Sequence, residues 1–294
     1  MTHAIQVLLA THNGIRWLDE QIRSILDQEG VQVQILASDD RSSDGTAERL
    51  RAWSEQDSRV SLLPAHSAFG SAAASFYHLL RHADTNRFAL VALADQDDIW
   101  ERDKLRRHAE LLLSHRVAGV SSDVEAFWAD GRTHLIRKAQ AQRRWDHLLE
   151  PPGPGCTFLM DSALVDRCVE WLDRLEAMAH PQPPKHDWFI YLLARCSGRP
   201  WYIDARSSVR YRQHESNEVG ANAGIAAIFK RLSILARGGY HIQVRQAIEL
   251  ARLISAHYGQ PEPPARLSAW DLLREGRRRR HEALIMALFS LRGV

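Results

Sequence analysis

Apolar positions in the first hundred residues alternate between two periods. Ile5-Gln6-Val7-Leu8-Leu9-Ala10 is a compact apolar run that stops at the polar turn Thr11-His12-Asn13-Gly14, as a buried strand does. Ile15, Leu18, Ile22, Ile25 and Leu26 then recur at helical spacing over residues 15–28. Val31 to Ala37 predicts a second strand, Val60–Leu63 a third and Phe88–Ala94 a fourth, with helices over 46–54 and 71–82 between them. Strands that are apolar on both faces and alternate with helices predict an α/β fold: a Rossmann-like, mainly parallel sheet flanked by helices. Ligands of such sheets gather at the carboxyl ends of the strands. The loops 11–14, 38–46 and 95–98 all follow strands and hold most of the functional groups of this half.

The second half is less regular. Two rigid turn segments, Pro151-Pro152-Gly153-Pro154-Gly155 and Pro181–Pro184, separate predicted helices at 162–178 and from His186 onward. From about 223 the pattern is helical, with breaks at Gly238-Gly239 and Gly259–Pro264, and predicts a C-terminal helical extension over 221–294.

Charge changes this picture in one respect. The net charge of +2 conceals 12 Lys/Arg against 5 Asp/Glu from Ile225 to Val294, so the body is acidic and the tail basic. That distribution lacks the basic reading face of a nucleic-acid binder. Arg277-Arg278-Arg279-Arg280, followed by the apolar segment His281–Leu291, suits an anionic inner-membrane surface, or a helix packed on its own domain or on a homodimer partner. No run approaches about 18 apolar residues, so no spanning helix is predicted. The N-terminus has no basic-then-apolar leader, and the three cysteines are too scattered for a disulfide framework or a zinc site; both point to a cytoplasmic protein.

Four segments carry candidate chemistry. Asp95-Gln96-Asp97-Asp98 closes the fourth strand, and three carboxylates at one strand end repel unless a cation sits among them. Hard oxygen donors select Mg2+ or Mn2+ with positions left for phosphate, although Asp98 could instead cap the next helix. Ser38-Asp39-Asp40 with Asp44 and Thr46 offers acceptors for a base N–H or ribose hydroxyl; Asp44 is expected to be structural and Asp40 ligand-facing. Lys185-His186-Asp187-Trp188 opens a helix, where Asp187 is either a general base or an N-cap. Tyr211-Arg212-Gln213-His214-Glu215-Ser216-Asn217 adds a possible metal ligand, His214. Neither the dinucleotide fingerprint nor a P-loop follows the first strand.

Taken in order from Val7 to about Gly220, these segments resemble glycosyltransferase family 2, the inverting enzymes of GT-A fold, and Asp95-Gln96-Asp97-Asp98-Ile99-Trp100 with Gly155-Cys156-Thr157 is most like bacterial rhamnosyltransferases of surface-polysaccharide (O-antigen) synthesis. The resemblance implies a catalytic domain over 1–220, with a nucleotide-binding half (1–98) and an acceptor half (99–220). It implies nucleotide contacts from Thr11, Asn13, Asp40 and Asp95, a divalent cation on Asp95 and Asp97, and Asp187 as general base. The implied donor is dTDP-rhamnose or a UDP-sugar, and the acceptor a saccharide or lipid-linked saccharide. Trp100, Gly155, Cys156, Thr157, His186 and Trp188 are the acceptor-side candidates. Two departures stand out: His66–Ala74 replaces an asparagine-rich segment, and His186 stands where an acidic residue is common. The competing classes are a nucleotidyltransferase, disfavoured because only Arg16 is near the first loop, and a non-catalytic sugar-nucleotide-binding scaffold.

Overall fold

The computed structural model describes residues 2–180, 183, 185–214, 239–279 and 283–284. Its first half carries the expected alternation: strands β1 (His3–Thr11), β2 (Val31–Asp39), β3 (Val60–Leu62) and β4 (Leu90–Ala94), with helices α1 (Ile15–Leu26), α2 (Thr46–Gln56) and α3 (Ala72–Arg81) between them. β1 lies parallel to both β2 and β4, with Leu9 opposite Ala37 and Ala94. Successive side chains of a strand point to opposite faces, so β1 feeds two cores. Ile5, Val7 and Leu9 join Ile22, Ile35 and Ala92 on one face, while Leu8 joins Leu36, Phe76 and Leu93 on the other. This two-sided burial is why the strands read as unbroken apolar runs.

The remaining elements are β5 (Ile99–Trp100), α4 (Lys104–His115), β6 (Gly119–Ser122), β7 (Val124–Phe127), β8 (Thr133–Ile136), β9 (Leu159–Asp161), α5 (Ser162–Ala177), α6 (His186–Cys196), β10 (Trp201–Asp204), β11 (Val209–Arg212) and α7 (Gly239–His257). The main sheet runs β10-β6-β9-β4-β1-β2-β3, with β9 antiparallel to both neighbours. A second sheet, β5-β11-β7-β8, sits at its carboxyl end. The hydrophobic pattern does not announce this small sheet, because strands of two to four residues are too short to display a period. It nevertheless decides the site, since it brings β11 back beside the loop that follows β4.

Of the alternatives read for the basic tail, the described arginines follow packing on the chain's own body. Arg278 is 4% exposed and enters the protein interior. Its guanidinium lies 3.3 Å from Asp146 and donates to the carbonyl of Pro151 at 2.6 Å, while its backbone N–H donates to Glu150 at 2.8 Å. Arg277 donates to the Tyr240 hydroxyl and Arg279 to the carbonyl of Arg137. These three arginines tie the start of the tail to the body of the chain. Arg280 and most of the predicted segment His281–Leu291 lie outside the described residues, as do the proposed boundary at 220 and Glu215, Ser216 and Asn217. Among the described residues no helix is long and apolar enough to cross a membrane.

Candidate active site

Three strand-end loops are knitted into one polar surface. The Thr11 hydroxyl donates to Asp39 at 2.9 Å, and the N–H of Asp40 donates to the carbonyl of Thr11 at 2.8 Å. Asn13 adopts a left-handed conformation (φ 50°) and its side-chain oxygen accepts from the N–H of Ser43 at 2.8 Å. Gln96 pairs both ways with the backbone of His12, at 2.7 and 2.8 Å. Gly14 leaves room for this pairing: a Cβ there would lie 2.1 Å from the Gln96 side-chain oxygen, so Gln96 would have to move. Asp44 accepts from Thr46 and from the N–H of Ile15, which fixes the starts of α1 and α2.

Asp40 is buried and accepts from the N–H groups of Phe69 and Gly70, at 2.5 and 2.9 Å. It therefore holds the segment that replaces the asparagine-rich stretch. His66 secures the same segment by stacking on Phe69 (3.9 Å) and contacting the Ser38 hydroxyl at 3.1 Å. A carboxylate has about four acceptor sites, so Asp40 keeps capacity for a further donor.

Beyond β4 the chain turns sharply, and Asp95, Asp97 and Asp98 separate into different roles. Asp98 is almost completely buried, and burial, with the neighbouring Asp97 and Asp95 charges, drives its pKa well above the usual carboxylate range. The shift favours its neutral form, which lessens the repulsion expected among the three groups. It does not cap a helix: α4 begins only at Lys104, and Asp98 instead accepts from the N–H of Arg212 at 3.1 Å. Asp97 is 9% exposed and its carboxylate lies 2.6 Å from Nε2 of His214. Arg212 also donates through Nε to the carbonyl of Asp97 at 2.8 Å. The second sheet thus brings His214 to Asp97 across 117 residues.

Asp95, Asp98 and Cys156 offer ligand atoms within 4.8 Å of one another, and Oδ2 of Asp98 has no hydrogen-bond partner. Burial and the Asp98 and Asp95 charges keep the Cys156 thiol protonated, and a protonated thiol is a poor partner for a hard cation. Asp97 and His214 pair with each other at 2.6 Å and are not among those three, so the hard oxygen donors at this strand end are the carboxylates of Asp95, Asp97 and Asp98.

The acceptor-side candidates divide. Gly155 and His186 meet: a Cβ on Gly155 would lie 2.4 Å from Nε2 of His186, whose ring packs on Phe76 at 4.1 Å. The short turn Gly155–Thr157 therefore touches the Asp95 cluster through Cys156 and the Asp187 segment through Gly155. Asp187 lies in the first turn of α6, and its carboxylate accepts from the N–H of Trp188 at 2.7 Å. Trp100 and Trp188 are corrections as sugar platforms. Trp100 is 3% exposed, with the Lys104 ammonium 3.7 Å from its ring. Trp188 is 6% exposed and donates to the carbonyl of His147 at 2.7 Å. Both have their faces covered by protein, as do the side chains of Cys156 and Thr157. Sequence reasoning passed over Trp17, Lys104 and the two-way pairing of Gln96, whose surroundings include distant segments.

The profile of Glycosyl transferase family 2 matches residues 6–168. The dTDP-rhamnosyl transferase RfbG of Shigella flexneri is 35% identical over 237 residues, 80% of this chain and 82% of that protein. The chain belongs to glycosyltransferase family 2. A second relative, the UDP-Glc:alpha-D-GlcNAc-diphosphoundecaprenol beta-1,3-glucosyltransferase WfgD of Escherichia coli, is 26% identical over 65% of this chain and 69% of its own length. Among solved structures, S. aureus TarS 1-349 in complex with UDP-GlcNAc superposes with a TM-score of 0.58 at 14% identity, covering 88% of this chain and 71% of that one. The mannosyltransferase PcManGT from Pyrobaculum calidifontis, in complex with GDP-Man and Mn2+, gives 0.50 at 16% identity over 99% and 86%. These likenesses establish the GT-A fold, and the family membership makes the protein a glycosyltransferase.

Proposed function

We propose that this glycosyltransferase moves L-rhamnose from dTDP-rhamnose to a saccharide or lipid-linked saccharide, with inversion, in surface-polysaccharide synthesis. The observation that carries the reading is the Gly155–Thr157 turn, which ties the Asp95 cluster to the Asp187 segment and so joins a diphosphate end to an acceptor end. The similarity to the Shigella flexneri rhamnosyl transferase supports the donor. Three buried free cysteines support a reducing, cytoplasmic setting.

In this reading Thr11, Asn13 and Asp40 line the nucleotide end, and Asp95, Asp97 and His214 would hold Mg2+ or Mn2+. Such a cation supplies charge neutralisation to the departing diphosphate. Asp187 takes the proton of the acceptor hydroxyl as its oxygen bonds to the anomeric carbon and the carbon–oxygen bond to the nucleoside diphosphate breaks. One displacement from the opposite face inverts the centre.

Calorimetric titration with dTDP and with UDP, each with and without Mn2+, tests the donor end. The expected result is Mn2+-dependent binding that prefers dTDP and is lost in Asp97→Ala. Preference for UDP would retain the enzyme class and replace the donor; binding of neither would strike the nucleotide site. Asp187→Asn should bind dTDP as wild type does while transfer falls on the order of a hundredfold or more. Unchanged transfer would remove Asp187 as the base.

A further inference from the structure

Trp17 lies in the first turn of α1, facing the strand end that carries His214. Its ring stacks on the His214 imidazole with centroids 3.9 Å apart and planes 22° from parallel. Glu20, three residues on and on the same side of the helix, forms an ion pair with Arg212. Arg212 in turn holds both the carbonyl of Asp97 and, through its backbone N–H, the carboxyl of Asp98, while its guanidinium covers Phe127 at 4.6 Å. The segment Arg212–His214 is thus gripped on one side by α1 and on the other by the Asp97-Asp98 loop. Trp17 is only half-buried, whereas Leu18, Ile22 and Ile25 of the same helix fill the core. Its principal aromatic partner is a polar ring that sits 2.6 Å from Asp97.

We infer that Trp17 is a positioning residue for cation binding: its indole fixes the plane of His214 and so holds Nε2 beside the Asp97 carboxylate, where the pair would open onto a cation. An imidazole on a strand end has two side-chain torsions to settle, and a flat partner at stacking distance settles both. Residues that orient a ligand without touching the ion typically contribute 10–100-fold to metal affinity. The inference rests on the proposed cation site and adds a residue that the family motifs do not contain.

The test is Mn2+ affinity of the full chain with dTDP present, read as free Mn2+ by electron spin resonance. The variants are Trp17→Leu, Trp17→Phe, His214→Ala, Trp17→Leu/His214→Ala and Asp97→Ala, each with its melting temperature. Trp17→Leu keeps apolar bulk but has no flat face, so it should weaken Mn2+ binding on the order of tenfold. Trp17→Phe should stay close to wild type, and the double variant should be no weaker than His214→Ala. Wild-type affinity in Trp17→Leu overturns the inference, as does an additive loss in the double variant or loss of affinity in Trp17→Phe. Wild-type affinity in His214→Ala, with loss in Asp97→Ala, removes His214 and hence Trp17 while the cation site stands. Retained affinity in Asp97→Ala removes the cation site itself.

Discussion

Lys104 is a fully buried lysine whose ammonium has no hydrogen-bond partner and sits 3.7 Å over the Trp100 ring. Burial drives its pKa from 10.5 down to about 7, against the smaller opposing influence of Cys156 and Asp98. In the unfolded chain the amine keeps its proton to about pH 10.4. Between pH 7 and that value the unfolded state binds more protons, so the penalty of burying Lys104 is complete below pH 7 and fades as pH rises. Lys104→Met should therefore stabilise the protein at pH 6 by about 2 kcal/mol, after a cation–π loss of similar size is set against the desolvation relieved. The gain should shrink towards pH 10. Equal gains at both values, in melts across the range, would mean the ammonium is not desolvated. Lys104 was not singled out in the sequence; its neighbours are Trp100, four residues before it, and Cys156 with its distant turn.

At the scale of elements, the join between α6 and the tail depends on one buried carboxylate. Asp146 opens a short helical turn (Asp146–Leu148) and is fully buried. It accepts from the Tyr191 hydroxyl at 3.0 and 3.1 Å and from Arg195 at 2.8 Å, with Arg278 at 3.3 Å. Burial alone would raise its pKa, but the nearby His147, Arg195 and Arg278 outweigh that and hold it below the usual value. Its contribution is therefore present at neutral pH and is lost as pH falls through the depressed folded value. Asp146→Ala leaves Arg278 buried beside Glu150 alone and should cost roughly 3–5 kcal/mol at pH 7, measured by urea unfolding. A loss below about 1 kcal/mol would show that water reaches the site and that the network carries little. Asp146 was not among the residues singled out from the sequence. Its partners are 45, 49 and 132 positions away, beyond any local pattern.

For the whole molecule, Arg277, Arg278 and Arg279 of the basic cluster make internal contacts. Removing residues 277–294 should lower the melting temperature and weaken the Asp146 network, since it deletes Arg277, Arg278 and Arg279 together. A truncated chain that melts as wild type does would overturn this placement. Tail charge alone could not distinguish a membrane face from an interior clamp: arginine suits both, and the difference lies in whether Asp146 and Glu150 stand opposite.

The sequence by itself determined the alternation of β1 to β4 with α1 to α3 and the order of the polar loops. It also marked Asp95, Asp97 and Asp187 as the acidic residues of interest. Period and residue type are local properties, and two-sided burial in a parallel sheet leaves a strong local trace. Tertiary structure alone decided that Asp98 is buried with its pKa raised, that Trp100 and Trp188 are covered, and that Arg278 points inward. It also decided that Trp17 and His214 stack beside Asp97, because the short β11 folds back against the loop after β4. Burial, stacking and charge neutralisation depend on what stands opposite a side chain, and in this protein those partners come from segments far apart in the chain.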